Sequence, residues 1–123
     1  MWQLADELKR KVYELIDSST ASRDFKFCDQ IKGSASSAPA NIAEGFRYYR
    51  HPQFAKHLRI ARSEIVETQH HLDDGVDREY WTVEQAAPLK RTARRAGAAA
   101  TSLLRYLTTS EAPALWAGEQ KRR

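Results

Sequence analysis

At 123 residues, with 41% hydrophobic and 29% charged side chains and few Gly or Pro, the chain has the size and composition of one ordered domain with its own core. Its 20 Lys+Arg against 16 Asp+Glu leave a net charge of +4, a basic bias that suits a polyanionic partner without specifying one. One cysteine, no signal-like start and no apolar run of spanning length set the expectation of a cytoplasmic, reducing environment, with no membrane, disulfide framework or zinc site.

The spacing predicts a first helix over about Trp2–Ser18, with Ala5, Leu8, Val12 and Leu15 on one face. The run Ser18-Ser19-Thr20-Ala21-Ser22 breaks it. A second helix is expected over Asp24–Glu44, carrying Cys28, Ile31, Ala35, Ala38 and Ile42, with Gly45 as its stop. Pro39 removes the hydrogen bond to the Ala35 carbonyl and either bends this helix or splits it, with Ser36, Ser37 and Asn41 as local polar help. From Gly33 to Ala43 there is no charged side chain, so this helix has no evident face for water. It is expected to lie between its own bundle and another copy of the chain.

A third helix begins at Pro52, a favoured first-turn residue, and runs to about Asp74 before Gly75. Phe54, Leu58, Ala61, Ile65, Thr68 and Leu72 form its seam. The fourth begins at Thr82, where Thr-Val-Glu-Gln makes a capping box, and its seam is Leu89, Ala93, Ala96, Ala100, Leu103 and Leu107. Pro88 threatens a kink in its early turns. The expected architecture is an all-α, antiparallel up-down-up-down four-helix bundle over 1–107, followed by a loose tail over 108–123 that includes Trp116.

Two polar patterns overlie this frame. Gln30, Ser34, Ser37, Asn41 and Glu44 share one stripe of the second helix, and Ser63, Glu67 and His70 share one on the third. Gln30, Ser34, Asn41, Glu44 and Glu67 read as a structural network that sets helix register; the rival reading makes Asn41, Glu44 and Glu67 the site of a small enzyme. Glu67-Thr68-Gln69-His70 matches half of a di-iron bundle signature, but such sites need two units, so no metal or cofactor is expected. Cys28 reads as a small core residue. The second pattern is basic. Arg47, Tyr48, Tyr49 and Arg50 crowd one connection, Lys56, Arg59 and Arg62 follow on the third helix, and Lys90, Arg91, Arg94, Arg95 and Arg105 line the fourth. Arginine interleaved with tyrosine suits phosphate contact and base stacking, although Glu64, Glu67, Asp73 and Asp74 dilute the charge.

The order Gln30-Ile31, Ser34-Ala35, Pro39-Ala40-Asn41-Ile42-Ala43-Glu44-Gly45, then Phe54, Leu58, Ile60-Ala61, Ser63 and Glu67-Thr68 resembles the bacterial four-helix-bundle proteins encoded in intervening sequences of large-subunit ribosomal RNA genes. The resemblance spans roughly Leu4–Leu107 and extends to the accessory variability protein of diversity-generating retroelements. It implies a bundle subunit that forms a homopentamer, binding to RNA or DNA, and no enzyme activity. An Ala-rich fourth helix with Pro88, and the tail after Leu107, depart from the family pattern. The leading expectation is a non-enzymatic homo-oligomeric ring that binds nucleic acid through a basic surface. The alternative is a protein-protein adaptor, for example one docking a reverse transcriptase.

Overall fold

A computed structural model describes residues 1–49 and 51–109. Helix α1 spans Trp2–Asp17, α2 Phe25–Phe46, α3 Pro52–Asp77 and α4 Val83–Leu107, with a short 3-10 turn over Thr20–Arg23 between the first two. The helices pack in a closed cycle, α1 on α2, α2 on α3, α3 on α4 and α4 back on α1. This is the up-down-up-down, all-α bundle anticipated above, and among the described residues there is no strand. Thr108 and Thr109 are the only described residues of the anticipated tail; Arg50 and Trp116 lie outside the described residues.

The core follows the apolar spacing. Ala5, Leu8 and Val12 of α1, Ile31, Ala35, Ala38 and Ile42 of α2, Leu58, Ala61 and Leu72 of α3 and Ala93, Ala96 and Ala100 of α4 are fully shielded. Near the end of α4 the seam passes through Leu104 rather than Leu103, which is only partly buried. Each of α2, α3 and α4 is started by a side chain that takes an orphan amide: Asp24 accepts from Phe27 N, His51 from Gln53 N, and Thr82 with Gln85 forms the full capping box.

Both prolines sit inside continuous helices, so α2 is not split at Pro39. The expected polar help forms one turn away from the freed carbonyl: Asn41 Nδ2 donates to Ser37 O at 2.9 Å and Ser37 Oγ at 3.0 Å. At Pro88 the Thr92 hydroxyl donates back to the proline carbonyl at 3.2 Å.

The two glycines expected to stop helices are helical instead. Gly45 is buried in the last turn of α2, where a β-carbon would press on His57 Cβ and Phe54 Cδ1 at 3.1 Å. Gly75 is buried in α3 because a β-carbon there would overlap the Trp81 indole. That indole is 3% exposed and its Nε1 donates to Leu72 O at 2.9 Å, so α3 runs one turn further than the glycine suggests. The helix closes with a Schellman pair, Tyr80 N to Gly75 O and Glu79 N to Val76 O, both at 2.9 Å. The left-handed position of that motif, normally glycine, is Glu79 with φ of 63°.

These two positions should respond in opposite directions. Gly75→Ala is expected to destabilise by about 1–3 kcal/mol although alanine is the better helix former, because the indole has to move. Glu79→Gly is expected to stabilise by about 0.5–1 kcal/mol by relieving the left-handed conformation. Urea unfolding of both variants measures the pair; a stabilised Gly75→Ala would refute the packing account.

Candidate nucleic-acid interface

The α2–α3 seam decides which way α3 faces. At its centre Ser34 Oγ and Thr68 Oγ1 lie 2.8 Å apart in a buried hydrogen bond across the two helices. Each hydroxyl also has a backbone carbonyl of its own helix in reach, Ile31 O for Ser34 and Glu64 O for Thr68, so one of the two donates across the seam while the other donates to its carbonyl. Toward the α2–α3 connection, Asn41 Oδ1 meets His57 Nδ1 at 3.2 Å, and the His57 ring stacks on Tyr48 at 5.6 Å between centroids. Toward the other end, His71 sits edge-on to Phe27, and its buried Nε2 has no hydrogen-bond partner; the nearest carboxylate oxygen is Glu67 Oε1 at 3.6 Å.

The five residues read from sequence as one network are thereby separated. Ser34 and Asn41 make the inter-helix bonds. Gln30 is exposed, Glu44 pairs with Arg47 at 3.4 Å at the solvent edge, and Glu67 turns to His71. Asn41, Glu44 and Glu67 therefore meet three different partners and do not converge on a common point. Glu64 and His57 are seam residues that the polar stripes omit, and Thr68, expected on the apolar seam, supplies a polar bond there. Their spacing against Ser37, Ser34 and Asn41 becomes meaningful only once α2 and α3 are placed antiparallel.

Cys28 is buried, its thiol donating to Ala21 O at 3.0 Å, and burial raises its pKa. Among the described residues no group of three or more His, Cys, Asp or Glu side chains could hold a metal ion. No described helix is long and apolar enough to cross a membrane.

With its polar flank turned to α2, α3 directs its opposite flank toward α4. Arg59 and Arg62 of α3 join Thr101, Leu104, Arg105 and Thr108 of α4 around one open cleft of about 330 Å³. Residues 101, 105 and 108 step by four and three, which places them on a single stripe of α4. Of the basic residues expected along the fourth helix, Arg105 lines this cleft. Arg91, Arg94 and Arg95 are exposed further along α4, and Lys56 is exposed on α3.

Ion pairing sorts these cations. Lys90 is held by Asp73 at 2.6 Å and Arg47 by Glu44. The other described pairs draw on Lys9, Arg10, Lys11 and Arg78, with His71 beside Glu67. Among the described residues, none of Lys56, Arg59, Arg62, Arg91, Arg94, Arg95 and Arg105 shares an ion pair. The acids that seemed to dilute the face are engaged elsewhere: Asp73 by Lys90, Asp74 by Arg78, Glu67 by His71. Glu64 lies on the α2 side, where burial first and the Glu67 charge second raise its pKa, against the influence of Ser37 and His71.

The α2–α3 corner adds aromatic surface beside this face. Tyr49 is 64% and Phe46 48% exposed, with both rings against Phe54. Tyr48 is engaged by His57 and is less open. Phe46 was not a sequence candidate, since its period placed it beyond the expected helix stop.

The Glu64 carboxyl supplies a pH test. Its folded pKa is raised, so between the ordinary glutamate range and that raised value the folded chain binds more protons than the unfolded one. Stability from this group therefore falls as pH rises through that window. Glu64→Gln is expected to raise Tm at about pH 7.5 and to lose that advantage near about pH 3, where the wild-type group is protonated in both states. Thermal melts at the two pH values compare them; an advantage that persists unchanged at low pH would contradict the cause given.

Comparison with known proteins agrees with this architecture. No curated protein matches the chain. A crystal structure of a protein with unknown function from the S23 ribosomal protein family of Bacteroides thetaiotaomicron is similar, with TM-score 0.74 and 25% identity over 84% of this chain and 96% of that one. Residues 1–102 match the family described as 23S rRNA-intervening sequence protein. Helix order, core and a match over most of its length together place the chain in the family of 23S rRNA-intervening sequence proteins.

Proposed function

We propose that this protein is a non-enzymatic subunit of a homo-oligomeric ring, a pentamer in its simplest form, that binds RNA or DNA through the α3–α4 face. The observation that carries the nucleic-acid reading is the set of arginines without ion pairs, Arg59, Arg62, Arg91, Arg94, Arg95 and Arg105, gathered on two adjacent helices. Among the described residues, Asp73 and Asp74 of α3 pair with Lys90 and Arg78 and not with these arginines, so they do not cancel the field of this face locally. Arginine offers paired donors to phosphate, and Phe46 and Tyr49 at the neighbouring corner offer stacking surface.

Assembly is supported by α2. Its uncharged segment turns Ala35, Ala38, Pro39 and Ile42 inward, while Gly33, Ala40 and Ala43 are exposed. A β-carbon added at Gly33 meets nothing within 4 Å. Small side chains without charge let a second backbone approach closely and lose little hydration on doing so. Repetition around a ring multiplies a basic face of modest strength into a stronger field.

Two measurements test the two halves separately. Light scattering at micromolar concentration is expected to give an oligomer that Ala40→Glu disperses without unfolding the chain; a wild-type monomer would end the ring reading. In electrophoretic shifts, structured RNA and duplex DNA are expected to bind with weak sequence preference and to be released steeply by salt. Reversing Arg91, Arg94 and Arg95 to Glu is expected to abolish the shift and leave the oligomer intact. Absence of any shift at low salt would move the face to a protein partner with an acidic surface, the adaptor role.

A further inference from the structure

We infer that the cleft formed by Arg59 and Arg62 of α3 and Arg105 of α4 is a discrete site for two or three closely spaced phosphates, with Thr101 as an accessory donor. These four residues line one opening between the two helices, with Leu104 as its apolar wall and, at the end of α4, Thr108, whose hydroxyl donates to Leu104 O at 2.9 Å. Three guanidinium groups around one opening repel one another. None shares an ion pair with a carboxylate among the described residues, so within them that repulsion is unrelieved. The nearby acids of α3 are turned away: Glu67 stands beside His71, and Asp73 holds Lys90 further along the helix. An anion seated between the guanidinium groups removes the repulsion and satisfies several donors at once.

Size and lining narrow the anion. The cleft holds about 330 Å³, roughly ten times the share of one water molecule in the liquid, so it is too large for a lone halide and suits linked or neighbouring phosphates with residual water. Guanidinium groups and the Thr101 hydroxyl border it, and among the described residues no carboxylate lines it. No aromatic ring or side-chain amide among the described residues lines it either, so none of them reads a base edge or face there. Phosphate is therefore gripped by charge and spacing, whatever base it carries. Arg105 lies in the last turn of α4, where a cation also answers the helix dipole. That explanation does not extend to Arg59 and Arg62, which sit three residues apart within α3 and face the same opening.

Two sources carry this chemistry, a free oligophosphate and consecutive phosphates of a nucleic-acid strand. For the second source the site rests on the nucleic-acid reading above; for the first it stands independently.

The test titrates the full chain by calorimetry with tripolyphosphate, pyrophosphate and orthophosphate, and repeats the tripolyphosphate titration on single variants. Tripolyphosphate is expected to bind about one per chain and about tenfold or more tighter than orthophosphate, because only linked phosphates reach all three guanidinium groups. Arg59→Gln, Arg62→Gln and Arg105→Gln should each weaken it by about tenfold, and Arg→Lys at the same positions, which keeps charge and loses the fork, by less. Arg23→Gln, exposed in the 3-10 turn at the other end of the bundle, should leave it unchanged. Should a Gln variant melt early, its Lys counterpart carries the comparison. Equal affinity for tripolyphosphate and orthophosphate, or equal loss in Arg23→Gln, would overturn the site. Gel shifts with RNA on the same variants separate the readings. RNA binding without tripolyphosphate binding removes this site and leaves the nucleic-acid reading. Tripolyphosphate binding without RNA binding keeps the site for free oligophosphate and removes that reading.

Discussion

Close packing of α2 on α3 constrains the rest of the molecule. Alpha-2 presents Ser34, Ala35, Ala38 and Gly45 to its neighbours, so the two backbones come near enough for Ser34 and Thr68 to bond directly and for Gly45 to lie under Phe54 and His57. A hydrogen bond between two buried hydroxyls fixes register, because sliding by one turn would leave both without their cross-helix partner. Once that register is set, His57, Glu64 and His71 belong to the α2 side of α3. Arg59 and Arg62 then have only the α4 side available, and the arginine cleft follows from a contact on the opposite flank.

The electrostatics follow from the same placement. An isolated count of charges on α3 and α4 shows acids and bases mixed, which ordinarily describes a solvated helix pair. In three dimensions the carboxylates are drawn to particular cations, with Asp6 between Lys9 and Arg10, Asp73 on Lys90, and Asp74 on Arg78. Among the described residues, the arginines of α3 and α4 that remain without an ion pair include the three around one cleft, Arg59, Arg62 and Arg105. Exposed pairs of this kind contribute little to stability, so their main effect is on the field that an approaching polyanion meets.

The two ends of the bundle are built differently. At the α3–α4 turn, Phe27, Tyr80 and Trp81 form a packed aromatic group. Asp24 there takes the Tyr80 hydroxyl, the Phe27 amide and the Arg78 guanidinium at once. The Tyr80 hydrogen bond is the main reason that its carboxyl titrates below the usual range, with the Phe27 amide next. This end is tied off by the carboxylate that also caps α2. At the α2–α3 corner the helix instead closes through successive hydrogen bonds spanning three residues, and Phe46 and Tyr49 are exposed. Aromatic side chains are thus buried in closure at one end and lie at the surface at the end where the arginine cleft is.

Much of the fold is legible in the chain because helices obey local rules. Apolar residues three and four apart mark the buried faces, Pro52 and the Thr82–Gln85 box mark the starts, and four amphipathic helices with short connections leave few ways to enclose a core. The two misplaced stops, Gly45 and Gly75, show where local rules end: glycine signals either a left-handed cap or a close approach, and only the position of Phe54, His57 and Trp81 tells which. Trp81, which no periodicity assigns, becomes core for the same reason. The candidate site divides likewise. Sequence by itself determined which residues are basic, which segment is uncharged and which helices carry them. Only the tertiary structure decided that Arg105 meets Arg59 and Arg62 at one cleft, and that Asn41, Glu44 and Glu67 part company. Pairing between side chains far apart in the chain depends on helix rotation and register, and those are set by packing against neighbours rather than by spacing along one helix.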